Sequence, residues 1–254
     1  MTKIRNAFGE FIAHRGLFSE YLPENSLGAF VAAVEEGLPI ELDVHLTKDD
    51  EIVVFHDDTL SRMTGYNRKI SELRSGELKT YKLQRTNFTI PTLKDVFETV
   101  DNKVPLLIEV KNRSIANIGK LEDALVKQLD EFRNKYAIQS FNPYVLKYLR
   151  RKHPTILRGQ ISGDLDGEGL LGPIIRTLLK YLAFDPVAKP DFISYEYQPL
   201  RDEMLIRNII NLRTLRIPLY VWGIHNQKDM IECRDKLRPD GIIFDNKDEI
   251  RNSS

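Results

Sequence analysis

The feature that most constrains this chain is a repeated alternation of short apolar runs with longer stretches of helical periodicity. Strand-like runs fall at 11–14, 39–45, 105–110, 136–140, 155–160, 191–195, 217–222 and 241–245. Helix-like segments lie between them at 26–36, 93–99, 115–132, 143–151, 168–182, 202–212 and 227–236. Strands that alternate with helices pair in parallel, and about eight of them predict a closed (β/α)8 TIM barrel in the α/β class. An open doubly wound sheet would call for a glycine-rich first turn, and Gly16 alone does not provide one. At 254 residues, the chain has the length of one such barrel, although length alone also allows two domains; the strand count decides for one. A single domain over 1–254 is therefore expected. The rhythm breaks once, after the second strand. Residues 51–55 read as a short extra strand and 57–91 as a polar insertion on the barrel rim, without a separate core.

Composition narrows the function classes. Lys and Arg total 37, as do Asp and Glu, so the net charge is zero. This balance gives no electrostatic footprint for nucleic acid or for an anionic membrane surface. Cys233 is the only cysteine, which excludes an internal disulfide and any cysteine zinc site, in keeping with a reducing compartment. Residues 1–9 lack the apolar run of a signal peptide. No stretch approaches the roughly 18 apolar residues of a membrane span. A cytoplasmic location is expected.

In a barrel, side chains at the C-terminal ends of strands converge on one mouth, where active sites form. The chemistry-bearing residues fall at such ends. His14-Arg15-Gly16 closes the first strand. Glu41, Asp43 and His45 alternate along the second strand and so share a face. Glu109 and Lys111 end the third strand with the same parity. Ionised carboxylates facing a barrel interior are costly without a counter-charge, so Glu41, Asp43 and Glu109 call for a cation. All three are hard oxygen donors, which suits Mg²⁺ or Ca²⁺ better than zinc or copper. The alternative is an ion-pair network with Arg15 and Lys111 and no metal. His14 and His56 can supply an acid/base pair, and Arg15 and Lys111 can hold an anion. Together these groups point to phosphoryl transfer.

The remaining candidates carry open alternatives. His45 shares the carboxylate face but is expected at the rim, without a role. Asn25 either bonds a catalytic histidine or caps the helix that begins near Ser26. Trp222 is either a wall for the substrate or a core aromatic. His153 and His225 read as structural or solvent-exposed. The stripe of Leu170, Leu171, Ile174, Ile175, Leu178, Leu179 and Leu182 reads as a packed barrel helix. A part of it exposed at the mouth would favour lipid-like substrates.

Several runs, in order and at matching spacing, carry a resemblance. They are Ala13-His14-Arg15-Gly16, Pro23-Glu24-Asn25-Ser26, Glu41-Leu42-Asp43-Val44 and Val53-Val54-Phe55-His56-Asp57. Ile90-Pro91-Thr92-Leu93, Ile108-Glu109-Val110-Lys111, Ser140-Phe141 and Trp222 continue the series. Over most of its length the chain resembles the glycerophosphodiester phosphodiesterases. The resemblance implies a TIM barrel with a small insertion after the second strand. It also implies His14 and His56 as the catalytic pair, and Glu41, Asp43 and Glu109 as ligands of a divalent metal ion, Ca²⁺ or Mg²⁺. Arg15 and Lys111 would hold the phosphate, with Trp222 and Asn25 further candidates for substrate contact. The substrate would be a small glycerophosphodiester, opened through a cyclic phosphate to glycerol 3-phosphate and an alcohol. A lysophospholipase D acting on lysophospholipids, and a non-catalytic barrel that binds phosphodiesters or lipid headgroups, are the competing readings. Ser26 stands where threonine is usual, Asp50 where glycine is usual, and Gly223-Ile224 where Thr-Val is common.

Overall fold

In the computed structural model, the described residues are 3–112, 114–163, 188–197, 216–224 and 226–245. Among the described residues nine strands follow one another: β1 (Phe11–Ala13), β2 (Ile40–Leu46), β3 (Ile52–Val54), β4 (Leu106–Val110), β5 (Tyr136–Ser140), β6 (Arg158–Ser162), β7 (Phe192–Glu196), β8 (Leu219–Trp222) and β9 (Gly241–Phe244). β1, β2 and β4 pair in parallel, as do β5 to β9 in chain order. This is the (β/α)8 barrel class. All eight strands expected from the apolar runs are present. The fifth starts at Arg158 instead of 155, because His153 to Ile156 is taken up by a turn in which Ile156 N–H donates to the His153 carbonyl. The helix expected over 115–132 is Lys120–Leu129, held back at its start by Gly119 at φ 111°. The segments 168–182, 202–212 and 250–254, and with them the leucine-rich stripe and His225, lie outside the described residues.

The chain divides into two compact units. The first comprises Met1–Ile12, Asn112–Ile118 and Ala137–Ser254. Its strands β5 to β9 are edged by helices with clear sequence caps. Asn142 accepts from Tyr144 N–H ahead of Pro143–Lys152, and Asn226 accepts from Asp229 N–H ahead of Gln227–Leu237. Within its sheet, Phe192 meets Tyr220 edge to face, a packing made possible by Gly159 and Gly241. A Cβ on either glycine would come within 2.3 Å of these rings.

The second unit comprises Ala13–Lys111 and Gly119–Tyr136. Its centre is β2, six of whose seven residues are buried. Ile40, Leu42 and Val44 lie in register with Leu106, Ile108 and Val110 of β4 and form an apolar layer. The residues between them, Glu41, Asp43 and His45, form the opposite, polar face. After β2 the chain reverses through Thr47–Asp50 and returns as β3, antiparallel, with Val44 opposite Val54. Asp50 takes the left-handed φ of 61° that this reversal demands. That accounts for the glycine usual at the position, and aspartate tolerates the conformation better than most residues.

The stretch 57–91 reads as polar and weakly periodic in sequence, yet it closes over a buried cluster. Leu60, Met63, Ile70, Leu73, Leu78, Leu83 and Ile90 pack together with Val53 and Phe55. Short elements explain the missing period. Ser61–Thr64, Ile70–Glu72 and Ser75–Leu78 each contribute one inward residue or so before the chain turns.

Gly16, in the turn after β1, has φ 81°, and a Cβ there would lie 2.9 Å from the Ala29 backbone and the Phe30 ring. Gly16→Ala therefore combines left-handed strain with overpacking against backbone. It should cost about 2–4 kcal/mol, read as a lowered midpoint in urea unfolding.

Candidate active site

The polar face of β2 and the adjoining end of β4 bring together the acidic residues expected from strand parity. Asp43 and Glu109 are direct neighbours across the parallel pair. With Glu41 they form a buried group whose carboxylate oxygens lie within 4.8 Å of one another. The strand alternation aims these side chains one way, and the apolar layer behind them fixes the strands that carry them.

Two cations answer these charges. Lys111 is nearly fully buried, and its Nζ lies 2.7 Å from Glu109 Oε1 and 3.0 Å from Asp43 Oδ1. The second contact is an ion pair without hydrogen-bond geometry, since Asp43 Oδ1 accepts no directed bond. Burial works against the Lys111 charge, but Asp43 and Glu109 prevail and push its pKa up to about 12. Arg15 sits in the turn after β1 at φ 55°. Its backbone N–H donates to Glu41 Oε2 at 3.2 Å, its Nη1 donates to Glu24 Oε1 at 2.9 Å, and its Nε lies 3.5 Å from Asp43 Oδ2. The network reading and the metal reading thus describe the same residues.

The charges do not balance locally. Against three carboxylates stand two cations, and the deficit falls on Glu41. Burial, then the neighbouring Asp43 and Glu109 charges, push its carboxyl well above the ordinary glutamate range. Asp43 is held well below its ordinary range. Burial opposes this, but Lys111, His56 and Arg15 outweigh it. A buried set of hard oxygens with surplus negative charge has the donor chemistry for a divalent cation. This acidic triad could therefore bind a metal ion.

The two histidines stand beside this group. His14 follows β1 directly, with Nε2 3.8 Å from Glu41 Oε2. His56 follows β3, and its Nδ1 is 2.6 Å from Asp57 Oδ1. His45, given no role on sequence grounds, is buried, and its Nε2 lies 3.1 Å from the His56 carbonyl. Burial lowers the His45 pKa to about 4, so the ring is neutral and donates through Nε2–H. His45 thereby holds the backbone of His56. Asn25 follows neither expected alternative. Ser26 is the helix cap, accepting from Ala29 N–H, and Asn25 Nδ2 donates to Asp43 Oδ2 at 2.8 Å. Trp222 belongs to the first unit, where it ends β8 and meets Phe141 edge to face. His153 ends the helix Pro143–Lys152, as a structural reading expects.

Three residues in this neighbourhood had no role in the sequence reading: Glu24, Asp57 and Arg62. Asp57 could have been found from its place beside His56, and Glu24 from its motif. Arg62 carried no signal, because its partner Glu24 is 38 residues away.

Fold and site together define a parallel α/β barrel enzyme built around a buried acidic cluster with adjoining imidazoles. The glycerophosphoryl diester phosphodiesterase family model matches residues 14–249. Over 251 residues the chain is 30% identical to a glycerophosphodiester phosphodiesterase of Caldanaerobacter subterraneus, covering 95% of this chain and 96% of that protein. It is 36% identical to the human lysophospholipase D GDPD1 over 280 residues, covering 98% of this chain and 87% of that protein. A glycerophosphodiester phosphodiesterase structure from Thermotoga maritima superposes with a TM-score of 0.71 at 29% identity, covering 94% of each chain. An Oleispira antarctica phosphodiesterase, solved with the product sn-glycerol-3-phosphate, superposes with a TM-score of 0.79 at 20% identity, covering 97% and 96%. The chain belongs to the glycerophosphoryl diester phosphodiesterase family, and it is an enzyme. The non-catalytic reading is set aside.

The charge imbalance at Glu41 has a measurable sign. A carboxyl whose pKa is raised on folding disfavours the folded state increasingly as pH climbs from 4.5 through the folded value. In chelator, Glu41→Gln should therefore raise stability at pH 8. The gain should vanish as pH falls toward 4.5, and differential scanning fluorimetry across pH reads both. Added Mg²⁺ or Ca²⁺ should stabilise the parent protein more than the variant.

Proposed function

We propose that this enzyme hydrolyses glycerophosphodiesters to glycerol 3-phosphate and an alcohol in a metal-dependent reaction, with His14 and His56 as the acid/base pair. The observation that carries the reading is the buried triad of Glu41, Asp43 and Glu109 beside Lys111, Arg15 and the two imidazoles. Glu41, Asp43 and Glu109 would hold a Ca²⁺ or Mg²⁺ ion. Bound there, the ion would polarise a phosphoryl oxygen and favour the deprotonated form of a coordinated hydroxyl.

The protein's own groups supply the rest. Lys111 and Arg15 stay protonated in the site and offer charge to the phosphate oxygens, Arg15 through a planar fork. The glycerol 2-hydroxyl oxygen attacks phosphorus, and its proton passes to one imidazole as the new O–P bond forms. The bond from phosphorus to the headgroup oxygen breaks, and the departing alcohol takes a proton from the other imidazole. The cyclic phosphate is then opened by water, which gives up a proton to the second imidazole while the first returns its proton to the 2-oxygen. Both histidines end as they began. Histidine suits this exchange because its ordinary pKa lies near neutral pH.

A second reading, lysophospholipase D activity on lysophospholipids, is favoured by the 36% identity to human GDPD1 over nearly the whole chain. The two readings share the site and differ in whether an acylated glycerol is accepted. No helix among the described residues is long and apolar enough to cross a membrane.

Release of glycerol 3-phosphate from glycerophosphocholine should disappear in chelator and return with Mg²⁺ or Ca²⁺. His14→Ala and His56→Ala should each lower kcat by about 10²–10⁴-fold. Activity that survives full metal removal would overturn the metal role. Turnover of lysophosphatidylcholine, followed by choline release beside the same assay, separates the two substrate classes.

A further inference from the structure

The insertion after β3 contributes an arginine that reaches the surroundings of the site. Arg62 lies on the short helix Ser61–Thr64, whose neighbours Leu60 and Met63 are buried in the insertion's apolar cluster. Its guanidinium spans two carboxylates. Nε donates to Asp57 Oδ2 at 2.7 Å and Nη2 to Asp57 Oδ1 at 3.1 Å. Nη1 donates to Glu24 Oε2 at 2.9 Å and Nη2 to Glu24 Oε1 at 2.6 Å. Each carboxylate in turn touches a proposed functional group. Asp57 Oδ1 sits 2.6 Å from His56 Nδ1, and Glu24 Oε1 accepts from Arg15 Nη1 at 2.9 Å.

We propose that Arg62 is a positioning residue, which locks Asp57 behind the His56 imidazole and Glu24 behind the Arg15 guanidinium, so that the rim insertion sets the geometry of the acid/base and phosphate-binding groups. This rests on the roles proposed above for His56 and Arg15. A carboxylate on Nδ1 fixes the tautomer that presents Nε2 to the reaction and holds the ring at one angle. Without a second tether, Asp57 is free to rotate away, because it follows His56 directly in a half-buried bend. Arg62 supplies that tether. The carboxyls of Asp57 and Glu24 are both held ionised. Burial opposes this in each, but the hydrogen bonds from His56 and Arg62 prevail at Asp57, and those from Arg62 and the charge of Arg15 prevail at Glu24. A lysine keeps the charge but has no fork to grip two carboxylates at once.

Arg62 is 45% exposed and its partners Glu24 and Asp57 are 12% and 22% exposed, but each carboxylate keeps another partner, Arg15 or His56, when Arg62 is removed. A structural role and a positioning role therefore separate. Arg62→Ala should leave the thermal midpoint within about 2 °C but lower kcat on glycerophosphocholine by about 10–100-fold. Arg62→Lys should recover little of this, and millimolar guanidinium should restore part of the Arg62→Ala loss. In a double-mutant cycle, Arg62→Ala should cost clearly less in the Asp57→Ala background than in the parent, the remainder being the Glu24 arm behind Arg15. One readout is independent of turnover. The His56 Nδ1–H proton, assigned by its absence in Asp57→Ala, should give a resolved low-field NMR signal in the parent protein that broadens in Arg62→Ala. A sharp, unshifted signal in Arg62→Ala, a kcat within twofold of the parent, or additive effects in the cycle would overturn the proposal. A parent protein that shows the signal and its loss but no chelator-sensitive glycerol 3-phosphate release would instead overturn the functional reading alone.

Discussion

Everything at the site depends on keeping ionised carboxylates out of water. Glu41, Asp43 and Glu109 are nearly fully buried, and uncompensated charges in such surroundings would favour unfolding or protonation. The protein answers with Lys111 and Arg15, one from the end of β4 and one from the turn after β1. It stops one positive charge short. The shortfall is what equips the acidic triad to bind a metal ion.

That tension explains how the surrounding polar groups are spent. Asn25 gives its amide to Asp43, and the Arg15 backbone gives its N–H to Glu41. Both residues occupy left-handed backbone conformations, and Asn25 N–H closes the loop on the Arg15 carbonyl. The loop between β1 and the helix Leu27–Glu35 is thus strained locally so that two donors point at the acidic cluster. Gly16 allows that loop to lie against the helix.

Much of this was legible in the sequence. Strand count, strand parity and the extra strand followed from apolar periodicity, and parity alone placed Glu41, Asp43 and Glu109 on one face. Boundaries were less legible where a turn competes with a strand, as at Ile156, or where Gly119 delays a helix. The insertion was misleading because its buried residues sit on elements too short to show a period. The ion pairs of Arg62 could not be read, since they join residues far apart in the chain and depend on how a loop closes. Asn25 was read with the wrong partner for a related reason: its neighbour Ser26 performs the capping, and only the folded loop shows Asp43 within its reach.

The hairpin of β2 and β3 has a consequence for how such a protein can change over time. His56 gains its place by counting residues from β2: Val44 faces Val54, and His45 reaches the His56 carbonyl. Because side chains alternate along a strand, adding or deleting one residue in the reversal at 47–51 would send His56 to the opposite face. The hairpin therefore works as a measuring stick. The site beside it holds its shape only while that short ruler keeps its length.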